Sequence, residues 1–236
     1  LTNCAAEHSK NRARYNIYRG KELAQHGAAV AALDMAGIKI ARLNATKSII
    51  DTFVSRLAKD RPMPQVSSPA GDWYTKRKAQ KFREFIVDKM LDTEFDDLSC
   101  DGLLDASVLG NAFIRIDNGE NDVFAERMPV NEMLFDEREC KYGRPQQAFR
   151  IYRIARDKLT ELFPDHKFEI EQAPAATRRA GDAASGDLED YRDLFEGWAL
   201  PTTMDSEDGK HWLFLDNVTL AFERWWEPRF PWSHIR

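Results

Sequence analysis

The apolar residues change period once, at Gly110. Before it the spacing is helical. Ile49, Ile50, Phe53, Val54 and Leu57 share one face over 44–59. Phe82, Phe85, Ile86 and Met90 do so behind Asp72, and Leu98, Leu103, Leu104 and Val108 lead up to Gly110 itself. After it the spacing drops to two, first in NAFIRID and DVFAERM and later in AFRIYRIA. Helical segments followed by alternating segments predict an α+β chain whose strands pair mainly as antiparallel hairpins.

Local signals punctuate this pattern. Asn44 is placed to cap the first of these helices, and Pro62 and Pro64 stop it and force an extended stretch before the loop QVSSPAG. Asp72 is placed to cap the long helix, and Gly110 to end the third. Asn118-Gly119 marks a hairpin. EMLF reads as a short strand, DERECKYGRP as a polar loop, and DKLTELF as a short helix capped by Asp157 and ended by Pro164. Residues 1–40 also read as helical, around Arg14, Tyr18, Leu23 and GAAVAALDMAG, with AEHSKNRARYNIYRGK as a basic arm.

Residues 172–187, QAPAATRRAGDAASGD, have little to bury and read as a linker or loop, with Arg178-Arg179 solvated inside it. The chain therefore divides into an N-terminal helical and basic segment (1–43), an α+β region (44–171), the linker (172–187) and a small β region (188–236). Five of the six tryptophans, Trp198, Trp212, Trp225, Trp226 and Trp232, lie beyond the linker. YRDLFEGWALP, HWLFLD and VTLAFERWW predict three antiparallel strands with turns at Asp208-Gly209 and Asp216-Asn217. Three such strands seldom form an independent core, so this sheet is expected to pack on something else, in this chain or in a neighbouring copy.

Charge narrows the function classes. The net charge of -5 is the sum of +9 over residues 1–90 (17 Lys and Arg against 8 Asp and Glu) and -14 over 91–236 (17 against 31). An acidic half of that size argues against a protein that simply coats DNA. The basic run Lys76, Arg77, Lys78, Lys81 and Arg83 reads as a solvated helix face, because the interleaved exposed aromatics of a single-strand groove are not expected there. No run of 18 uncharged apolar residues occurs, and LTNCAAEHSKNRARYNIYRG does not read as a secretory signal. Cys4, Cys100 and Cys140 are distant and odd in number, which suits reduced thiols rather than a disulfide framework or a CxxC metal site.

The motifs of catalysis are missing. The sequence has no GxGxxG, GxxxxGK[ST], GxSxG or HExxH. His8, His26, His166, His211 and His234 never stand three or four residues apart, as a helical zinc site would need, and His211 reads as structural at a strand edge. Asp136, Glu139 and Lys141 superficially match the carboxylate-lysine cluster of Mg²⁺-dependent nucleases. Such clusters draw their members from separate strand ends, whereas these three share one polar loop. A nuclease or other DNA-processing enzyme built on them is the alternative reading, and a DNA-binding module using residues 10–21 and 76–83 is a third. No catalytic residue, cofactor or metal is expected.

In their order and spacing these landmarks resemble the portal proteins of tailed bacteriophages and related prophages. The matching features are the Asn44 helix NATKSIIDTFVSRLAKDRPMPQV, Trp73 leading the basic helix, and DGLLDASVLGNAFIRID with its helix-ending Gly110. Then come RMPVNEMLFDERECKYGRPQQAFRIYRIARDKLTELFP with Asp136 and Pro164, and the segment 196–232. That last segment carries Trp198, Pro201, Gly209, His211, Phe230 and Pro231. Residues before 44 carry no matching landmark. Portals are usually longer, and the stem helices and tunnel loop are not in evidence, so the chain is expected to be the first part of a longer one.

The resemblance implies a structural, non-enzymatic subunit of a homo-oligomeric ring of about twelve copies at one capsid vertex. Double-stranded DNA would pass through the ring, which would dock the terminase motor and the capsid and neck or tail proteins, with no membrane involved. The protein would reside in the virion, and in the host cytoplasm during assembly. Residues 44–150 would belong to the wing of such a ring, and the small β region at 188–236, with its aromatic strands at 191–232, to its clip or to the wing. The acidic residues beyond 90 would line the channel or ring surface, and the basic helix would lie on the outer wing.

Overall fold

A computed structural model describes residues 2–21, 44–59, 63–67, 71–119, 122–142, 145–176, 190–203 and 206–235. The expectations for GAAVAALDMAG, Pro62 and Arg178-Arg179 lie outside these residues. The chain is mixed α+β with antiparallel sheets and forms two compact units, residues 1–130 with 231–236, and residues 131–230.

The first unit contains α1 (Thr2–Tyr18), α2 (Ala45–Lys59), α3 (Trp73–Asp92) and α4 (Phe95–Leu109). Its sheet has the order β2-β1-β8, from β1 (Ala112–Asn118), β2 (Val123–Met128) and β8 (Trp232–Ile235). The core lies where α4 meets this sheet. Val108, Leu109, Ala112, Phe113, Ile114 and Met128 are buried, and Gly102 lets α4 approach Ile114 and Ile235 closely. Gly110 ends α4 with φ +86°, a left-handed position that glycine adopts without strain. The β1–β2 connection is not a two-residue Asn118-Gly119 turn. Asn118 still pairs with Val123, and Gly119 N–H donates to the Asp122 carbonyl across a longer loop (2.6 Å).

The expected basic arm is docked instead. Asn11 of α1 is buried, and Arg14 Nη1 donates to the Leu109 carbonyl at the C-terminus of α4 (2.9 Å). Helix ends leave such carbonyls without partners, so the arginine satisfies one and complements the negative end of the dipole. Tyr18 Oη donates to Asp51 of α2 (2.7 Å), and Lys10 pairs with Glu7. These cations and polar groups serve the unit's own fold.

The second unit is a five-stranded antiparallel sheet in the order β3-β4-β5-β6-β7. Its strands are β3 (Met133–Phe135), β4 (Gln147–Ala155), β5 (Tyr191–Ala199), β6 (Lys210–Leu215) and β7 (Val218–Arg224). The three strands expected at 191–224 therefore do not stand alone. The β4–β5 ladder runs from Gln147↔Ala199 to Ala155↔Tyr191 and joins them to residues that precede 172–187. The boundary between units falls at Val130/Asn131 rather than in that segment. The physical reason is the one that made a separate sheet doubtful: three short strands bury too little surface, and β3 and β4 supply the rest.

Among the described residues this unit also has the short helices α5 (Glu137–Tyr142), α6 (Arg156–Leu162) and α7 (Lys167–Gln172). Leu159 of α6 and Ile170 of α7 meet Leu194, Leu215 and Leu220 in the core. Asp157 lies in the first turn of α6 but does not cap it, because the helix starts from Ala155 in extended conformation. Phe163 ends α6, and Pro164 opens the next turn. Asp216 (φ +53°) and Asn217 make the tight β6–β7 turn as expected.

Candidate interaction surface

In a half-buried sheet, alternation normally sends apolar side chains inward and polar ones out. The second unit's sheet departs from this at several positions. The face that carries the core also carries Arg150, Arg192, Glu196 and His211, all buried. Glu196 is only 2% exposed, and its Oε1 lies 2.9 Å from His211 Nε2. Arg150 stands directly across from Glu196 in the ladder and donates Nε to Glu132 (3.1 Å). The His211 ring stacks on the fully buried Trp198 (5.2 Å between centroids, 12° between planes) and meets the edge of Trp225. Buried polar and charged groups persist only when hydrogen-bonded, and each of these has a partner: Glu196 has His211, Arg150 has Glu132, and Arg192 donates to the Ile170 and Tyr191 carbonyls.

The opposite face carries the rings. Phe149, Gly197, Trp212 and Phe222 lie in one cross-strand row, with Ile151, Phe195 and Phe214 in the next. Gly197 has a specific use here. The Trp212 indole covers it so closely that a Cβ at 197 would stand 2.8 Å from Trp212 Cε2. Phe149 and Phe214 both set their rings edge-on to Trp212 (6.1 and 6.0 Å). Phe149 and Phe195 are exposed, and Phe222 is 59% exposed. Removing each of these half-exposed rings from water is worth about 1 kcal/mol. Outward rings on one face make this a candidate interaction surface.

A second apolar surface lies on α2 in the first unit. Ile50, Val54 and Ala58 are its half-buried row. The parallel row Ile49, Phe53 and Leu57 points outward, with Ile49 69% and Phe53 53% exposed. On α3 the predicted apolar stripe divides in the same way. Ile86 and Met90 are half-buried, whereas Phe82 and Phe85 are exposed and stack on each other (6.4 Å, 19°), as are Trp73 and Tyr74 at the helix start. The expectation that the basic run lacks exposed aromatics is thus overturned, because α4 covers only one side of α3 and its N-terminal half projects most of its rings outward.

Most of the other landmarks have local structural work. Asn44 Oδ1 accepts the Lys47 amide (3.0 Å) while its Nδ2 donates to the Tyr18 carbonyl, so it caps α2 and ties it to α1. Trp73 opens α3 with the Arg77 guanidinium over its ring (5.2 Å). Asp72 precedes it, but its side chain makes no cap; the Asp72 carbonyl accepts Lys76 N–H instead. Pro201 is buried against Gly209, whose carbonyl accepts the Trp225 amide (3.1 Å). The Pro231 carbonyl accepts the Ile116 amide (2.8 Å), seating β8 beside β1, and Phe230 is half-buried.

The nuclease-like cluster lies not in the expected polar loop but at the start of and within the short helix α5. Asp136 Oδ1 accepts the Arg138 amide (2.8 Å) at the start of α5, and Glu139 Oε2 accepts the Gln146 amide (2.7 Å). The Lys141 side chain lies outside the described residues. Among the described residues, no group of three His, Cys, Asp or Glu side chains is placed to hold a metal ion. Sequence reading missed the Arg150–Glu196–His211 set and the aromatic face. Their signal was available in FRIYR and FEGW, where large apolar and charged residues alternate, but alternation alone does not say which set faces the core. No known protein-family model matches this sequence, and no curated protein matches it.

Proposed function

We propose that this chain is a structural subunit of a portal ring of the kind found at the head vertex of tailed phages, without a catalytic role. It would surround a channel for double-stranded DNA and dock the packaging motor, capsid and neck or tail proteins. The ordered landmarks from Asn44 to Pro231 support the reading. The observation that carries it is the sheet whose charged residues are buried while Phe149, Phe195 and Phe222 stay outside. Such a sheet suits a protein whose outer face is covered by another copy, since aromatic residues concentrate at interface cores. β4 and β5 share one ladder; residues 147–155 and 191–224 would therefore lie together in one region of such a subunit. Negative-stain microscopy and native mass spectrometry of the purified full-length protein test this. Rings of about twelve copies are expected. A full-length protein that stays monomeric at high concentration overturns the reading.

A further inference from the structure

Among the described residues, the front half of α3 is a strongly charged surface that the ring reading leaves without a use. Over residues 73–85 it carries five cations, Lys76, Arg77, Lys78, Lys81 and Arg83, against one carboxylate, Glu84. Glu84 already accepts a hydrogen bond from Gln80 (3.1 Å). Among the described residues none of the five cations forms an ion pair, and Arg77 lies over the Trp73 ring. Cations packed against the unit's sheet are paired: Lys89 on the same helix with Asp92 and Asp122, Arg115 with Asp117 and Glu126, and Arg127 with Asp101 and Asp105. Like charges three and four residues apart, such as Lys78 with Lys81 and Arg77 with Lys81, oppose helix formation unless an anion offsets them.

A merely solvated basic face does not account for the rings. Tyr74 is 68% and Phe85 51% exposed, and both stand in line with cations. Tyr74, Lys78, Lys81 and Phe85 occupy steps of four, three and four, which places them along one line of the helix, roughly 16 Å long. Trp73 and Phe82 flank that line and are also exposed. Along the stripe two cations stand between two rings, so rings and cations share one face rather than separating onto opposite ones. A helix lying in a membrane surface needs a continuous apolar face with its cations segregated from it, so the arrangement disfavours that partner. A nucleic-acid strand has the matching chemistry: a regular row of phosphates beside flat bases that stack on aromatic rings.

We propose that the Tyr74–Lys78–Lys81–Phe85 stripe of α3 binds single-stranded nucleic acid, with phosphates on Lys78 and Lys81 and bases on Tyr74 and Phe85. The proposal does not rest on the ring reading, since the stripe lies on one helix of one unit and would bind as monomer or ring. The test is fluorescence anisotropy of the full chain with a labelled single-stranded thymidine oligonucleotide, from about 50 to about 200 mM salt. The wild-type chain should bind with a strong inverse salt dependence. Lys78→Gln with Lys81→Gln should weaken binding and flatten the log–log salt slope by roughly 1.4, about 0.7 for each phosphate no longer neutralised. Tyr74→Ala and Phe85→Ala should each weaken binding at least about fivefold and leave the slope unchanged. All four positions are exposed, and far-ultraviolet circular dichroism should be unaltered in every variant. Absence of binding at the lowest salt overturns the proposal. So does binding that the double Gln variant does not weaken, tighter binding to phosphatidylserine vesicles than to the strand, or duplex binding as tight as strand binding with no loss from Tyr74→Ala or Phe85→Ala.

Discussion

At the scale of single residues, polar side chains tie the first unit's helices and strands together. Arg14 holds the end of α4, Arg127 forks onto Asp105 through Nε and Nη2 (both 2.6 Å), and Tyr18 joins α1 to α2 through Asp51. The last contact gives a pH signature. The hydrogen bond to the Asp51 carboxylate, then burial, then the repulsion between the two charges, push the Tyr18 phenol from its ordinary 10 up to about 12. The neutral phenol is the favoured form in the folded chain. The stabilisation from this pair is therefore complete below pH 10 and is lost as pH rises through about 12. A difference ultraviolet titration, wild type minus Tyr18→Phe, should place this phenol near 12, and Asp51→Asn should return it towards 10. A Tyr18 that titrates near 10 in the wild-type chain would mean that the α1–α2 contact is absent in solution. None of these ties was legible in the sequence, because Arg14 and Leu109, or Tyr18 and Asp51, meet only once the helices have docked.

At the scale of elements the sequence was more informative, because helix and strand periods are local. The helices after 44 and 72, the stop at Gly110, the β1–β2 hairpin and the Asp216-Asn217 turn all follow from residues within a few positions of one another. What local pattern did not carry was partnership. Nothing in AFRIYRIA says that it pairs with YRDLFEGWA across the intervening segment, and the stripe on α3 does not reveal that only half of it is covered. Gly110 is the element boundary that local reasoning describes most completely. Its φ of +86° is the left-handed cap, and a Cβ added there would meet nothing within 4 Å. Gly110→Ala should therefore act through backbone strain alone and cost about 1–2 kcal/mol in urea unfolding with an unchanged m-value. A loss well beyond that range would show that packing as well as strain depends on this glycine.

At the scale of the whole molecule the question is what the outward rings are for, and the two available answers separate experimentally. If Phe149 and Phe222 serve the subunit's own stability, replacing them weakens the fold. If they serve assembly, as the ring reading requires, the isolated subunit barely notices. Both rings flank Trp212 on the open face, Phe222 59% and Phe149 39% exposed. A double substitution, Phe149→Ser with Phe222→Ser, should therefore change the monomer's stability by no more than about 2 kcal/mol. The same change removes about 2 kcal/mol of apolar burial from each subunit interface, which is roughly a 30-fold loss in association constant. In a closed ring that loss recurs at every interface, so sedimentation velocity should move from ring to monomer at concentrations where the wild type stays assembled. The Arg150–Glu196–His211 set supplies the control, because it lies on the other face and should keep the strands in register throughout. A variant that melts early yet assembles normally would assign the rings to the fold of the subunit and leave the ring interface elsewhere, with the outward row of α2 at Ile49, Phe53 and Leu57 as the next surface to alter.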